Sequence, residues 1–414
     1  MTDEFKPVLK NNNFLHIWSS QILSQLTINI MNFLFLIKLF EKTGSVIATS
    51  FLWISYAIPA LLIGPFASAA VDMVDKRKIL MLTNLLQAST IFLFAISVKT
   101  NIFIMYEVAF IYSLINQFND PAESATLPSI LKKSMFTQGN SLFFISTQAS
   151  LVIGYAAAGA LNHFLGFDKT LLLCATFLFF AFIAVSFLPQ LRAKHKIPIN
   201  LETGFRRFFE RIMEGYDFIK GDKKVLAPFL LSLGFQVALS VTIVSIPIIA
   251  VQIMKINLNS SGVFLIVPAA LGALVSAFSL PKLINKGWRK KRVIETSLLI
   301  ITFVLATMVF VLPEIPYVYR ITTGLIVTFL AGLSFVGITI PSQTFLQEST
   351  PYKLRGRVFG NFGFLVTAVS VIPVIFSGTI SELLGIRFLL FLMAALSFSV
   401  LIFSKKHADS WLSK

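Results

Sequence analysis

Residues 46–71 read VIATSFLWISYAIPALLIGPFASAAV, without one charged side chain, and the run Asp72-Met73-Val74-Asp75-Lys76-Arg77-Lys78 then ends the stretch abruptly. At 1.5 Å per residue such a helix outruns the ~30 Å hydrocarbon core of a bilayer. A helix that is apolar on every face is not a surface helix of a soluble protein. The same pattern recurs outward in both directions. Stretches 14–40, 79–98, 102–122, 136–162, 170–190, 225–252, 261–281, 293–313, 321–345, 358–381 and 387–404 complete an expected set of twelve spans. Composition agrees, because only 13% of the 414 residues are charged, where a soluble chain carries about 25%. The start, MTDEFKPVLKNNN, lacks the apolar core and cleavage site of a removable signal. The first span is therefore expected to direct its own insertion. The single cysteine, Cys174, excludes an intrachain disulfide.

The formal net charge of +16 would suggest nucleic acid in a soluble protein. Here its placement sets orientation instead. With the N-terminus cytoplasmic, only Lys38, Lys42, Lys99, Lys169, Lys255, Arg320 and Arg387 of the 35 Lys and Arg fall on the outer side. That imbalance predicts both termini inside. The basic charge then faces anionic headgroups of the lipid bilayer, and no nucleic-acid partner is expected.

The longest polar stretch divides the chain near its middle. The expected organisation is a six-helix bundle over 1–190, a cytoplasmic linker over 191–224, a second six-helix bundle over 225–404 and a tail over 405–414. Within the linker, Phe205, Phe208, Phe209, Ile212, Met213, Tyr216 and Ile219 recur at helical spacing between Arg206, Arg207, Arg211 and Lys220. That pattern predicts an amphipathic helix on the inner membrane surface, either a tether or a regulatory element. Three matches support two related halves: Pro59-Ala60 with Pro268-Ala269, Lys76-Arg77-Lys78 with Lys290-Lys291-Arg292, and Gly139-Asn140-x-x-Phe143 with Gly360-Asn361-x-x-Phe364. Six is even, so both halves insert in one orientation, and a solute site is expected between them.

Polar side chains inside spans are costly against lipid and face the bundle interior or a watery cavity. On a helical wheel Gln21, Gln25 and Asn32 lie within about 40° of one another, flanked by Ser24 and Asn29. The fourth span carries Ser113, Asn116, Gln117 and Asp120, and the seventh carries Gln236 and Ser240. Amides and hydroxyls of this kind suit a cavity for amphiphilic solutes; the alternative is hydrogen bonding between helices with no solute contact. Glu107 and Asp120 are the candidate proton carriers, since a carboxylate in a membrane is a natural one. Glu107 sits off the polar stripe of its own helix, and the other reading has it snorkel to the outer surface.

Two loops offer gate residues. Asp72, Asp75, Lys76 and Arg77 follow the second span, and Glu348, Arg355, Gly356 and Arg357 lie between the tenth and eleventh. Acids and bases at helix junctions can lock one element against another and release it; both loops can equally be topology-setting charge. The histidines His16, His163, His195 and His407 are scattered, and the sequence has no metal-ligand spacing, phosphate-binding glycine loop or paired intramembrane acids. No cofactor and no enzymatic activity are expected. Without a nucleotide site, transport must use an ion gradient or run downhill.

These residues together resemble the major facilitator superfamily, in particular the bacterial efflux branch of macrolide-efflux proteins and the enterobactin exporter. The resemblance rests on Phe14-Leu15-x-x-Trp18-x-x-Gln21-x-x-Ser24-Gln25, Thr43-Gly44-Ser45, Pro59-Ala60-x-x-x-Gly64-Pro65, Asp72-x-x-Asp75-Lys76-Arg77, Pro121-Ala122, Glu214-Gly215-Tyr216-x-x-Ile219 and the Gln347 to Phe359 segment. It implies twelve transmembrane helices in two pseudo-symmetric bundles, alternating access, export of small amphiphiles such as drugs or siderophore-like metabolites, and coupling to protons. It also implies a helix-packing motif at Gly154 and Gly159 of the fifth span. The sequence departs from the family pattern at Ser68, Met73 and Asp75 of the signature loop, at Tyr155 where the fifth-span proline is usual, and at Ile28 where many relatives carry an acid. The expected protein is thus a monomeric, multi-pass exporter in the cell membrane, of plasma or bacterial inner type, acting on a small-molecule substrate. The alternatives are an uncoupled facilitator or lipid-like substrate carrier, and a transport-dead sensor or scaffold.

Overall fold

The computed structural model describes residues 2–71, 73–97, 101–132, 135–191, 210, 213–214, 217–221, 223–351 and 362–406, and these are almost wholly helical. Among the described residues, ten helices are long and apolar enough to cross a membrane. The second expected span is divided: α3 covers Val46–Leu62 and α4 covers Gly64–Val71. The break falls at Ile63-Gly64-Pro65, where Pro65 has no N–H to continue the ladder. The fourth expected span lies in a helix of 28 residues, Phe103–Ile130, which is not in the apolar set because Asn116, Gln117 and Asn119 as well as Glu107, Asp120 and Glu123 lower its hydropathy.

The described residues form two compact units. The first comprises residues 1–38 and 54–207, the second 39–53 and 208–414. The outer turn of the first span and the first half of α3 therefore cluster with the second unit.

In the first unit α1 (Thr2–Leu9) and α2 (Asn12–Thr43) precede α3 and α4. They are followed by α5 (Lys76–Ile96), α6 (Phe103–Ile130), α7 (Phe136–Leu165) and α8 (Phe167–Ser186). One apolar cluster joins Phe14 and Ile17 of α2 to Val71, Leu80, Ala122, Leu127 and Val185. Cys174 is buried in α8, and the Thr27 hydroxyl of α2 donates to its carbonyl (3.3 Å). Phe92, Leu93, Phe103, Phe144, Phe179 and Phe180 remain exposed. Large apolar side chains left exposed in this number are what a lipid solvent requires.

The second unit holds α9 (Lys223–Ile248) and, after a π-helical stretch at Ile249–Met254, α10 (Val267–Asn285). Then come α11 (Lys290–Phe310), α12 (Tyr317–Ser349), α13 (Phe362–Leu383) and α14 (Ile386–Lys406). Helices α10 and α12 cross with their backbones in contact. A Cβ on Gly272 would run into the carbonyl of Phe329, and one on Gly332 into the carbonyl of Ala269. Close approach through small residues replaces the hydrophobic drive that is missing between helices in lipid.

The turn joining α2 to α3 is built by Thr43-Gly44-Ser45. Gly44 takes the left-handed conformation (φ 64°) and its N–H closes on Phe40 O (2.8 Å), so glycine avoids the Cβ penalty there. The Ser45 hydroxyl then accepts from Ala48 N (3.1 Å) and caps α3. Arg320, expected as an outer cation, is 6% exposed. Its guanidinium donates to the carbonyls of Leu312, Pro313 and Ile315 and ties off the turn before α12.

Candidate functional site

In the first unit the polar set of α2 is divided between packing and availability. Gln21 is spent: its Nε2 donates to Thr147 Oγ1 (2.7 Å) and Phe143 O (3.3 Å), while its Oε1 accepts from the Ser146 hydroxyl (2.7 Å). Trp18 Nε1 donates to the same hydroxyl (3.1 Å). These bonds hold α2 against α7. Ser24 is buried close by on α2. Asn29 donates to Gln25 O (2.7 Å) within its own helix, and Gly154 of α7 lies so close that an added Cβ would sit 2.6 Å from Asn29 Cβ. Gly159 is buried on the same helix. Gln25 and Asn32 are half-buried, and Asn32 Oδ1 has no hydrogen-bond partner among the described residues.

The stripe on α6 is anchored at one end and open at the other. Ser113 donates to Tyr56 O of α3 (2.8 Å), and Gln117 Nε2 to Ser113 O (3.1 Å). Asn116 Nδ2 donates to Asp120 Oδ2 (3.0 Å) and its Oδ1 accepts from Gln87 Nε2 (3.3 Å). One turn beyond Asp120, Glu123 is buried, and its Oε1 has no partner among the described residues. Asp120 itself is exposed, and so is Glu107, which lies far along the helix from this pair.

The sequence reading missed the third span. On α5, Thr83 donates to Asn119 Oδ1 (2.7 Å) and Asn84 Nδ2 to Ser20 Oγ (3.2 Å), so α5 is stitched to both α6 and α2. Asn84 Oδ1 and Gln87 Oε1 are buried without partners among the described residues. The signal was present as Thr83-Asn84-x-x-Gln87, polar residues one helical turn apart in an apolar segment. Glu123 was missed because the expected span ended at 122, whereas α6 runs to Ile130 through Pro121 and Pro128.

The loop after α4 braces rather than hangs free. Asp75 caps α5, accepting from Arg77 N (3.0 Å) and from Leu191 N (3.3 Å). Lys76 N donates to Leu191 O (3.3 Å), and the Arg77 guanidinium donates to Ser186 O at the end of α8. Asp72, Arg355, Gly356, Arg357 and most of the expected amphipathic helix lie outside the described residues. Of that helix, Ile219 is described and packs with Val225, Phe229 and Leu346.

In the second unit Gln236 is half-buried on α9, and Ser240 one turn on is buried and donates to its carbonyl (3.2 Å). Glu348 pairs with Lys290 at the start of α11. The first turns of α3 are pinned to this unit. Glu382 of α13 accepts from Ser45 and from Ile47 N (3.0 Å), Ser50 donates to Val374 O (3.0 Å) and Thr49 to Val244 O (3.2 Å).

Comparison with known proteins agrees with this architecture. The Major Facilitator Superfamily profile matches residues 17–373. Among curated relatives, the MFS-type transporter YfiS of Bacillus subtilis (strain 168) is 23% identical over 389 residues, 92% of this chain and 90% of that protein. Macrolide efflux protein A of Streptococcus pyogenes is 22% identical over 392 residues, 90% of each chain. Among solved structures, the nucleoside transporter NupG superimposes with a TM-score of 0.72 at 13% identity, covering 94% of this chain and 98% of its own. A bacterial homologue of the human lysosomal transporter Spinster, solved inward-facing and unoccupied, gives 0.72 at 11% identity, covering 90% of this chain and 83% of its own. At these identities the structural likeness speaks for fold.

Proposed function

The chain belongs to the major facilitator superfamily, and from that premise we propose that it exports small hydrophobic or amphiphilic molecules by alternating access, driven by protons. Membership makes it a multi-pass membrane transporter of small solutes. The observation that carries the finer reading is the set of buried amide oxygens on Asn32, Asn84 and Gln87 that have no partner among the described residues. Leaving such an acceptor unpaired costs about 1–3 kcal/mol. A solute that brings a hydroxyl, an amide N–H or an ammonium group relieves that cost on binding, while the apolar helix faces accommodate the rest of it. Donor-bearing amphiphiles fit this chemistry, and the name of the Streptococcus pyogenes relative, Macrolide efflux protein A, supports outward transport of such a compound.

The proton reading rests on Asp120 and Glu123, two carboxylates one helical turn apart on α6 and next to the amide network. Ionisable residues within the spans of a membrane protein mark proton pathways, and Glu123 is the buried one of the two. Glu107 is the weaker candidate because it lies far along the helix from the network. The second reading is an uncoupled facilitator or lipid-like substrate carrier, favoured by Ile28 on the first span, where a neutral side chain removes one potential proton site.

The deciding experiment is accumulation of a fluorescent amphiphilic dye in a pump-deficient bacterium expressing the chain, with and without a protonophore. Lower accumulation that the protonophore abolishes supports coupled export. A faster approach to the same final accumulation, at a rate the protonophore and external pH leave unchanged, favours the uncoupled reading. Unchanged accumulation, with the protein confirmed in the membrane, overturns broad amphiphile export.

A further inference from the structure

A cleft of about 250 Å³ opens between α10, α11 and α12 of the second unit, at the end where the chain turns through Lys286-Gly287-Trp288-Arg289. Three features of it point to one class of ligand. The turn beside it is basic: Lys282, Lys286, Arg289 and Arg292 flank the lining residues Leu283, Trp288 and Val293 in sequence and are all exposed, and the Arg292 guanidinium lies 5.0 Å over the Trp288 ring. Trp288 itself lines the cleft and is 38% exposed. An indole stacked with a cation is the side-chain arrangement favoured at headgroup level.

The start of α11 is electrostatically one-sided. Its first turn carries no acid, and Arg289 at the N-cap position makes no side-chain cap. The helix dipole and the unpaired N–H groups of a first turn favour an anion there. Lys290 and Lys291 are neutralised by Glu348 and Glu295. Arg289 and Arg292 have no acidic partner among the described residues, so two guanidinium charges add to the dipole instead of opposing it.

Deeper in the cleft, Ser276 and Ser297 are each 4% exposed and line the wall, yet neither hydroxyl makes a hydrogen bond among the described residues. Gly337 faces them, and a Cβ there would collide with Ser297 Oγ, so the absence of a side chain keeps this level open. Ser297 lies about 7.5 Å along α11 from Arg292, at 1.5 Å per residue. Leu280, Leu283, Ile300 and Leu333 make the remaining walls apolar.

We propose that this cleft binds an anionic glycerophospholipid. The phosphate sits at the start of α11 between Arg289, Arg292 and Lys286. The ester carbonyls, which can only accept, take the hydroxyls of Ser276 and Ser297, and one acyl chain lies along the leucine wall. A free phosphate would satisfy the mouth but not the deep serines. A fatty acid would satisfy the walls and offers no ester to the serine pair. The assignment is independent of what the transporter moves.

The test uses the full-length protein in vesicles of phosphatidylcholine containing a small fraction of phosphatidylglycerol with brominated acyl chains, which quench nearby tryptophan. The Trp288 signal is the difference between the native protein and Trp288→Phe. Brominated phosphatidylglycerol is expected to quench it at about tenfold lower mole fraction than brominated phosphatidylcholine, the preference that corresponds to about 1.4 kcal/mol. The variant Arg289→Ala/Arg292→Ala is expected to lose that preference. Ser276→Ala/Ser297→Ala, a small-for-small change that spares the fold, is expected to weaken it about three- to tenfold, as two unmade hydrogen bonds would. Equal quenching by the two lipids overturns the proposal, as does a preference that survives the arginine substitutions. Displacement by millimolar inorganic phosphate would make the mouth a simple anion site and overturn the lipid assignment. Equal selection of brominated oleate, unaffected by the serine substitutions, would overturn it in favour of a fatty-acid site.

Discussion

Ser45 and Glu382 are 337 positions apart in sequence, yet the Ser45 hydroxyl donates to a Glu382 carboxylate oxygen that also accepts from Ile47 N (3.0 Å). One carboxylate from α13 thus helps cap α3 at the start of that helix. Gly378, one turn back on α13, lets the contact close, since a Cβ there would sit 2.7 Å from Ser50 Oγ. Both groups lie at the surface, so the charge is partly screened and the value of the joint lies mainly in the cap. Glu382→Ala is expected to lower stability by about 0.5–1 kcal/mol, as a lost helix cap does. Thermal unfolding in detergent should show a small downward shift, and an unchanged midpoint would mean that the contact contributes nothing.

The backbone crossing of α10 and α12 admits no side chain at Gly272 or Gly332. Either glycine changed to alanine should force the helices apart, at the 1–3 kcal/mol typical of overpacking. Gly44→Ala offers a different comparison: nothing lies within 4 Å of its added Cβ, but its φ of 64° disfavours any other residue. Fluorescence-detected size exclusion after a heating series should find the two crossing variants markedly less stable. Native-like behaviour of both would show that the crossing is loose.

Gln21 and Asn32 share one polar sector of α2 but should respond to substitution in opposite ways. Gln21→Ala removes three hydrogen bonds that join α2 to α7, while the Ser146 and Thr147 hydroxyls keep their bonds to carbonyls of their own helix, so stability should fall by about 1–3 kcal/mol. Asn32→Ala deletes an oxygen that has no protein partner among the described residues, so stability should hold while dye export changes. Paired unfolding and export assays on the two variants check this. A destabilised Asn32→Ala with intact export would remove Asn32 from the cavity.

Glu123→Gln should abolish the protonophore sensitivity of export while leaving the protein in the membrane. Asp120→Asn should have a partial effect, because its partner Asn116 still finds a hydrogen bond in the amide. Glu107→Gln should behave as the native chain. Export by Glu123→Gln that remains fully protonophore-sensitive would take the proton away from α6.

How much the sequence disclosed depended on whether a feature lives in one segment or between two. The charge-free run 46–71 needs no partner to be recognised, and the uneven placement of lysine and arginine was equally plain. The break at Ile63-Gly64-Pro65 was also written in the residues, although the segment reads as one span on hydropathy. Whether Gln21 lines a cavity or pins α7 could not be read, because the answer lies in the position of Ser146 and Thr147, more than a hundred residues away. Glu123 was hidden by a boundary drawn where hydropathy falls, although prolines do not stop a helix in a membrane as they do in water. Asp75 read as a gate charge and turned out to cap α5. The Asp-x-Arg spacing that allows capping is the same one that suits a latch.

The burial of Cys174 behind Thr27 has a use unrelated to stability. The native chain presents its only thiol to no aqueous reagent, so it is already a silent background for chemical labelling. A cysteine introduced at Asn32, at Glu382 or at the mouth of the α10–α12 cleft would be the one reactive sulfur in the molecule. Its rate of modification would then time the exposure of that position through the transport cycle, with no second signal to subtract.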